Sequence, residues 1–188
     1  MNMKKMLFAS TAAAVLAMTS FAATAQKADP TVGGAAMYAN KTIVENAINS
    51  PIHTTLVAAV KAADLVDTLN SKGPFTVFAP TNDAFAKLPA GTVDTLVKPE
   101  NKATLTKILT YHVVSGRITS KMLAKDIKKG HGKAELKTVQ GDELTFTEPT
   151  PGTIVITDEK GGTANITTAD VYQSNGVIHV IDSVLMPN

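Results

Sequence analysis

The 188-residue chain contains no cysteine and no tryptophan, and aromatic residues make up only 5% of it. Without cysteine a disulfide-stapled scaffold is excluded, a common zinc ligand is missing, and stability must come from a buried core. An excess of one charge is lacking as well, since 18 basic residues stand against 16 acidic ones. So balanced a chain has no broad positive field to attract phosphate, which excludes nucleic acid as a partner. Long apolar runs are also scarce. The longest, Met6 to Met18, closes at Thr19 and Ser20, short of the roughly 20 residues that cross a bilayer, so no membrane span is expected. What remains, 44% hydrophobic and 18% charged, is the composition of an ordinary globular domain.

The N-terminus carries a targeting pattern. Lys4 and Lys5 precede the apolar run, and Ala23-Thr24-Ala25 supplies the small-x-small motif of a cleavage site, which predicts a signal peptide over residues 1–25 and cleavage between Ala25 and Gln26. Removal of Lys4 and Lys5 leaves 16 residues of each sign. No cysteine follows to be lipidated, so the mature chain is expected to be secreted, periplasmic or extracellular, without an anchor. Residues 26–38 combine Pro30, Gly33 and Gly34 with no apolar period and read as a leader before a domain over 39–188.

Within that domain, Thr42 and Glu45 form a capping box that opens a helix ending near Asn49. Ser50-Pro51 repeats the start signal, and Leu56, Ala59, Val60, Ala63, Val66 and Leu69 mark one helical face that Gly73-Pro74 ends. Phe75 to Phe78 reads as a strand, Ala79 to Asn82 as a turn, and Asp83 to Lys87 as a brief helix. A further amphipathic pattern runs from Leu96 to Tyr111, and Ser120 caps another helix through Ile127. From Ala134 onward the signal changes to strands: 134–139, 143–147, 153–157, 165–171 and 177–186. Helices followed by strands predict an α+β architecture with antiparallel hairpins in the C-terminal half.

Three ordered blocks stand out: Thr76-Val77-Phe78-Ala79-Pro80-Thr81-Asn82-Asp83-Ala84-Phe85, Tyr111-His112-Val113-Val114-Ser115-Gly116, and Asn175-Gly176-Val177-Ile178-His179-Val180-Ile181-Asp182. Together, over about Tyr38 to Pro187, they resemble the fasciclin (FAS1) domain family. The resemblance implies a wedge of β-sheets with helices packed along one side, and a non-catalytic role in cell adhesion or matrix association. In animal relatives an Asp-Ile pair and the Tyr-His block are implicated in integrin binding, and the matching positions here are Asp170, Val171, Tyr111 and His112. These four are the candidate binding residues, and a cell-surface protein or polysaccharide is the expected partner. Adhesion by one module would also call for self-association or a repetitive ligand. Some algal members bind carotenoids, so an alternative is a carrier of an apolar small molecule in a groove between helices and sheet.

Each candidate also has a structural reading. Tyr111 and His112 fall where a helix meets a strand, and such rings often pack inward while the polar tip finds a partner; the turn at Thr81-Asn82-Asp83 is the expected partner of His112. His179 alternates with Ile178 and Val180 and reads as a satisfied core histidine sharing a face with Val177 and Ile181. His53, His112, His131 and His179 show no short ligand spacing, so no metal is expected. Ser115, His112 and Asp126 could be written as a triad, but Ser115-Gly116 lacks a nucleophile elbow and reads as a turn, so no enzyme activity and no cofactor are expected. Gly33-Gly34 and Gly161-Gly162 lack the setting of a phosphate loop. Finally, Lys125, Lys128, Lys129, Lys133 and Lys137, with His131 between two glycines, read as a basic loop able to meet acidic polysaccharide or anionic lipid headgroups.

Overall fold

The computed structural model describes residues 29–188, so the signal peptide expected over 1–25 lies outside the described residues. Helix α1 (Ile43–Ile48) starts at the capping box: the Glu45 amide donates to Thr42 Oγ1 at 3.3 Å, and the Thr42 amide donates to Glu45 Oε2 at 2.7 Å. The single helical face read from Leu56 to Leu69 is in fact two helices, α2 (Thr54–Ala62) and α3 (Val66–Asn70). Asp64 divides them by adopting φ of 54°, a left-handed conformation that Asp tolerates better than most residues. Leu65 N–H then bonds back to Val60 O at 3.0 Å and Asp64 N–H to Lys61 O at 3.1 Å, closing the end of α2.

Strand β3 (Phe75–Pro80) runs on through the Ala79-Pro80 pair that the sequence assigns to a turn, and Thr81 caps α4 (Asn82–Ala86) by accepting from the Ala84 amide at 3.2 Å. The pattern from Leu96 to Tyr111 is interrupted by Pro99, which forces Lys98 into extended backbone. It becomes α5 (Thr92–Leu96), a 3-10 turn (Pro99–Asn101) and α6 (Lys102–Tyr111). After β4 (Val113–Ser115) comes α7 (Ser120–Lys129), whose cap is Thr119 rather than Ser120, with Met122 N–H donating to Thr119 Oγ1 at 3.3 Å. The remaining strands are β5 (Lys133–Lys137), β6 (Glu143–Thr150), β7 (Thr153–Thr157), β8 (Thr163–Gln173) and β9 (Gly176–Ile181).

Seven of these strands form one sheet in the order β4-β3-β9-β8-β7-β6-β5. All neighbours are antiparallel except β3 and β9, which run parallel with Phe75 opposite Gly176 and Pro80 opposite Ile181. The α+β expectation therefore holds, with one addition: a strand from the helical half is seated inside the C-terminal sheet. Its consequence is a core on both faces of β3 and β9. Val77, Ala79, Ile178 and Val180 face the helices, with Leu56, Ala59, Leu105 and Leu109 opposite them. Phe78 and Ile181 face the other way, toward Leu123, Ile127, Leu144 and Phe146, where Phe78 and Phe146 meet at 5.3 Å between ring centroids. Part of the leader segment joins this body. A two-stranded hairpin, β1 (Thr31–Val32) and β2 (Ala35–Ala36), presents Val32 and, just beyond it, Met37 to the helix-side core.

Candidate functional site

At the C-terminal end of α6, His112 turns its side chain back onto the Ile108 carbonyl. His112 Nδ1 lies 2.8 Å from Ile108 O, and the Leu185 amide donates to His112 Nε2 at 3.0 Å. A carbonyl can only accept and an amide can only donate, so the ring is neutral with its proton on Nδ1. Burial lowers its pKa from 6.5 to about 4. The turn at Thr81-Asn82-Asp83 is thus not its partner; the C-terminal segment at Leu185 reaches His112 first, and Asn82 instead binds Pro51 O and the Thr55 amide, both at 3.0 Å. Tyr111 is fully buried. Its hydroxyl donates to Glu143 O at 3.0 Å and accepts from the Glu159 amide at 3.2 Å, and burial pushes its pKa up to about 12.

Asp170 and Val171 occupy a register break in β8. Val171 is buried in the helix-side core. Asp170, at φ of 59°, turns its carboxylate onto the start of α7, accepting from the Ser120 amide at 2.7 Å and from Ser120 Oγ at 2.5 Å. An acid at a helix N-terminus is favourably placed. The Asp170 amide donates to His179 Nδ1 at 3.3 Å, and His179 Nε2 donates to Ile118 O at 2.8 Å. His179 is therefore the satisfied core histidine expected, stacked on Phe78 at 5.6 Å and held below its ordinary pKa by burial. Three of the four candidate residues, Tyr111, His112 and Val171, are buried, and the polar atoms of all three polar ones are engaged in holding elements together.

The signature blocks show the same engagement. Asn175 accepts from the Ile43 amide at 3.0 Å and donates to Leu69 O at 2.7 Å and Ser71 O at 3.0 Å, tying α1 to the end of α3. Thr76 Oγ1 donates to Gly116 O at 2.7 Å and accepts from the Ile118 amide at 2.9 Å. These blocks are therefore hinges of the architecture.

What faces solvent near Asp170 is a pair of clefts sharing Lys121 and Ala169. One, of about 470 Å³, is bordered by Pro30, Thr119, Asp170 and Tyr172; the other, of about 360 Å³, runs between α7 and the sheet past Glu148, Ile154 and Ile166. Neither Lys121 nor Tyr172 was singled out by the sequence reading. Tyr172 could have been found from strand alternation, lying between inward Val171 and inward Gln173. The basic segment proves to be mostly helix: Lys125, Lys128 and Lys129 lie on α7, Lys133 and Lys137 on β5, and His131 is the left-handed residue that ends α7.

Two small apolar cavities lie near the helices. One of about 30 Å³ lies between α1, α2 and α3, and one of about 20 Å³ is lined by Met37, His53, Ala79 and Ile178. Both are far below the several hundred Å³ of a carotenoid-sized site. Beside the smaller one, Ser50 Oγ and His53 Nδ1 are 2.7 Å apart and both residues are buried. His53 Nε2 is without a protein partner, so the pair has neither an orienting acid on that nitrogen nor access for a substrate. Ser115, His112 and Asp126 are not assembled, because the His112 nitrogens are committed to Ile108 and Leu185. Among the described residues no group of three or more His, Asp or Glu could hold a metal ion, and no helix is long and apolar enough to cross a membrane.

Comparison with known proteins places this architecture. The model of the fasciclin domain matches residues 51–187. Protein sll1483 of Synechocystis sp. is 53% identical over 83% of this chain and 79% of its own length. Immunogenic protein MPB70 of Mycobacterium bovis is 41% identical over 75% of this chain and 66% of its own, and the cell surface glycolipoprotein MPB83 of the same species is 36% identical over 82% and 64%. Among solved structures, a FAS1 domain pair from the insect cell adhesion molecule fasciclin I superposes with a TM-score of 0.68 at 25% identity, over 78% of this chain and 51% of that one. With its three signature blocks serving as the joints of the sheet and its helices, and with the family model matched over most of its length, the chain belongs to the fasciclin domain family.

Proposed function

We propose that this protein is a secreted, non-catalytic surface-association module. It leaves the cytoplasm by the signal peptide expected over residues 1–25 and attaches to a cell-surface protein or polysaccharide through the solvent-facing clefts at the start of α7. The observation that carries this reading is the contrast between the two sides of Asp170: its inner partners, Ser120 and His179, lock α7 to the sheet, while Thr119, Lys121 and Tyr172 stand outward around an open cleft. A rigid frame that presents an aromatic ring, hydroxyls and a cation meets a polar partner without reorganising, which lowers the entropic cost of binding. Family relatives named for the cell surface and for cell adhesion support the same reading. Of the four residues implied by the resemblance, Asp170 alone borders this cleft; Val171 is buried beside it, and Tyr111 and His112 brace the end of α6 against Glu143, Glu159 and Leu185.

The test is sedimentation of the purified protein with isolated envelopes of the cells that produce it. Saturable binding that weakens in Tyr172→Ser, with an unchanged melting temperature, is the expected outcome. Absence of saturable binding overturns the reading. The small-molecule alternative finds no room in the two cavities beside the helices and would have to use the cleft between α7 and the sheet.

A further inference from the structure

The outward face of α7 carries four exposed lysines; Lys128 and Lys129, in the last turn, complement the helix dipole, whereas Lys121 and Lys125 gain nothing from it. At 3.6 residues per turn, Lys121, Lys125, Lys128 and Lys129 fall within about 100° of arc on the side opposite Leu123 and Ile127, with roughly 6 Å of rise for each four-residue step. All four lysines are exposed, while Leu123 and Ile127 are buried in the sheet-side core. Lys121 and Lys125, and Lys125 and Lys129, are like charges four residues apart, which destabilises a helix. Lys121 also sits in the first turn, where the helix dipole disfavours a cation. Asp170 lies at the same end of α7, but its carboxylate binds the Ser120 amide and hydroxyl and forms no ion pair with a lysine. The ion pairs among the described residues join Lys87 to Asp182, Lys102 to Asp64 and Lys133 to Glu135. Asp126 on the flank of α7 and Glu148 across the cleft pair with none of the four. Lys133 and Lys137 lie on the edge strand β5, where lysines discourage unwanted strand pairing, and need no ligand to account for them.

We infer that the α7 face is the docking surface for a linear polyanionic polysaccharide, one bearing carboxylates along its length. This rests on the surface-association reading above and names the partner's chemistry. A repetitive polyanion supplies charge at intervals along the stripe, and its repeats allow many copies of a weakly binding module to act together. A lipid surface fits less well: a helix that lies in a membrane interface inserts its apolar face, and here that face is buried, with Met122 the single large apolar side chain exposed on α7. The α7 cleft bordered by Lys121, Ile154 and Ile166 gives sugar rings an apolar floor beside the cations.

The experiment is retention of the purified protein on immobilised polygalacturonate, with neutral dextran as the control and NaCl as the eluent. The wild type is expected to be retained at low salt and released as salt rises. The variant K121Q/K125Q/K128Q/K129Q, its circular dichroism and melting temperature unchanged, is expected to bind about 30-fold more weakly, four modest exposed charge contacts compounding. Should that variant fail to fold, Lys125→Glu with Lys129→Glu reads the same surface with two changes. Retention equal to wild type in a folded variant, retention insensitive to salt, or no retention of the wild type overturns the inference. So does tighter binding to phosphatidylglycerol vesicles than to polygalacturonate, which would assign the face to lipid. Envelope binding that persists without polygalacturonate binding refutes the polyanion and leaves surface association standing.

Discussion

His112 is the residue on which a pH experiment bears most directly. Its side chain joins the end of α6 to Leu185 in a geometry that only the neutral ring can make. The folded state lowers its pKa from 6.5 to about 4, so between those values the unfolded chain binds the proton that the folded chain refuses. Stability from this group is therefore complete above pH 6.5, falls as the pH drops through that value, and is lost by about pH 4. At 1.36 kcal/mol per unit of pKa, the loss amounts to about 3 kcal/mol. His53 and His179 are displaced in the same direction by burial and add to the fall in stability below pH 6.5. The assay is urea unfolding at constant ionic strength from pH 8 to pH 4, for the wild type and for His112→Gln. Glutamine keeps an acceptor for the Leu185 amide but leaves Ile108 O without its donor, so the variant starts about 1 to 2 kcal/mol less stable at pH 7.5. It should then lose about 3 kcal/mol less than the wild type on acidification. Parallel stability curves for the two proteins would refute both the neutral tautomer and the coupling of His112 to the fold.

Tyr111→Phe removes the partner of the Glu143 carbonyl and the Glu159 amide together, and should lower stability by about 1 to 3 kcal/mol in urea titrations without changing the secondary structure. Gly176→Ala would place a Cβ 2.2 Å from Phe75 O at the parallel β3 and β9 pairing; a fall of several degrees in melting temperature is expected because backbone cannot yield as a side chain does. Asp170→Ala frees the Ser120 amide and hydroxyl and should cost about 1 to 3 kcal/mol, with amide exchange accelerating first in the opening turn of α7.

The local elements were legible because their causes are local. Thr42 and Glu45 cap α1 wherever that helix packs, and the strand at Thr153–Thr157 has the bounds its alternation predicts. The family resemblance, too, was carried by blocks readable in one dimension. Less was legible where a neighbour in sequence was replaced by a neighbour in space. Asp64 broke a helix whose apolar face continued unbroken on paper, and the Thr31–Met37 stretch, too short and too rich in glycine to show a period, found its place through Val32 and Met37 in a core built by residues far away.

The candidate site divides along the same line. Its residue types, Tyr111, His112, Asp170 and Val171, could be named from the chain alone, as could the excess of lysine after Ser120. Tertiary structure alone decided that three of the four are buried. It brought Leu185 to His112 and Glu159 to Tyr111 across long sequence separations, and it seated β3 beside β9 so that both of their faces are covered. It also decided which side of α7 faces water. Periodicity fixes which residues share a face of a helix, but only packing of Leu123 and Ile127 against the sheet sets the lysines outward. The reason is that sequence encodes propensity and pattern over a few residues, whereas burial, which sets both the histidine pKa values and the surface left for a partner, is a property of the assembled core.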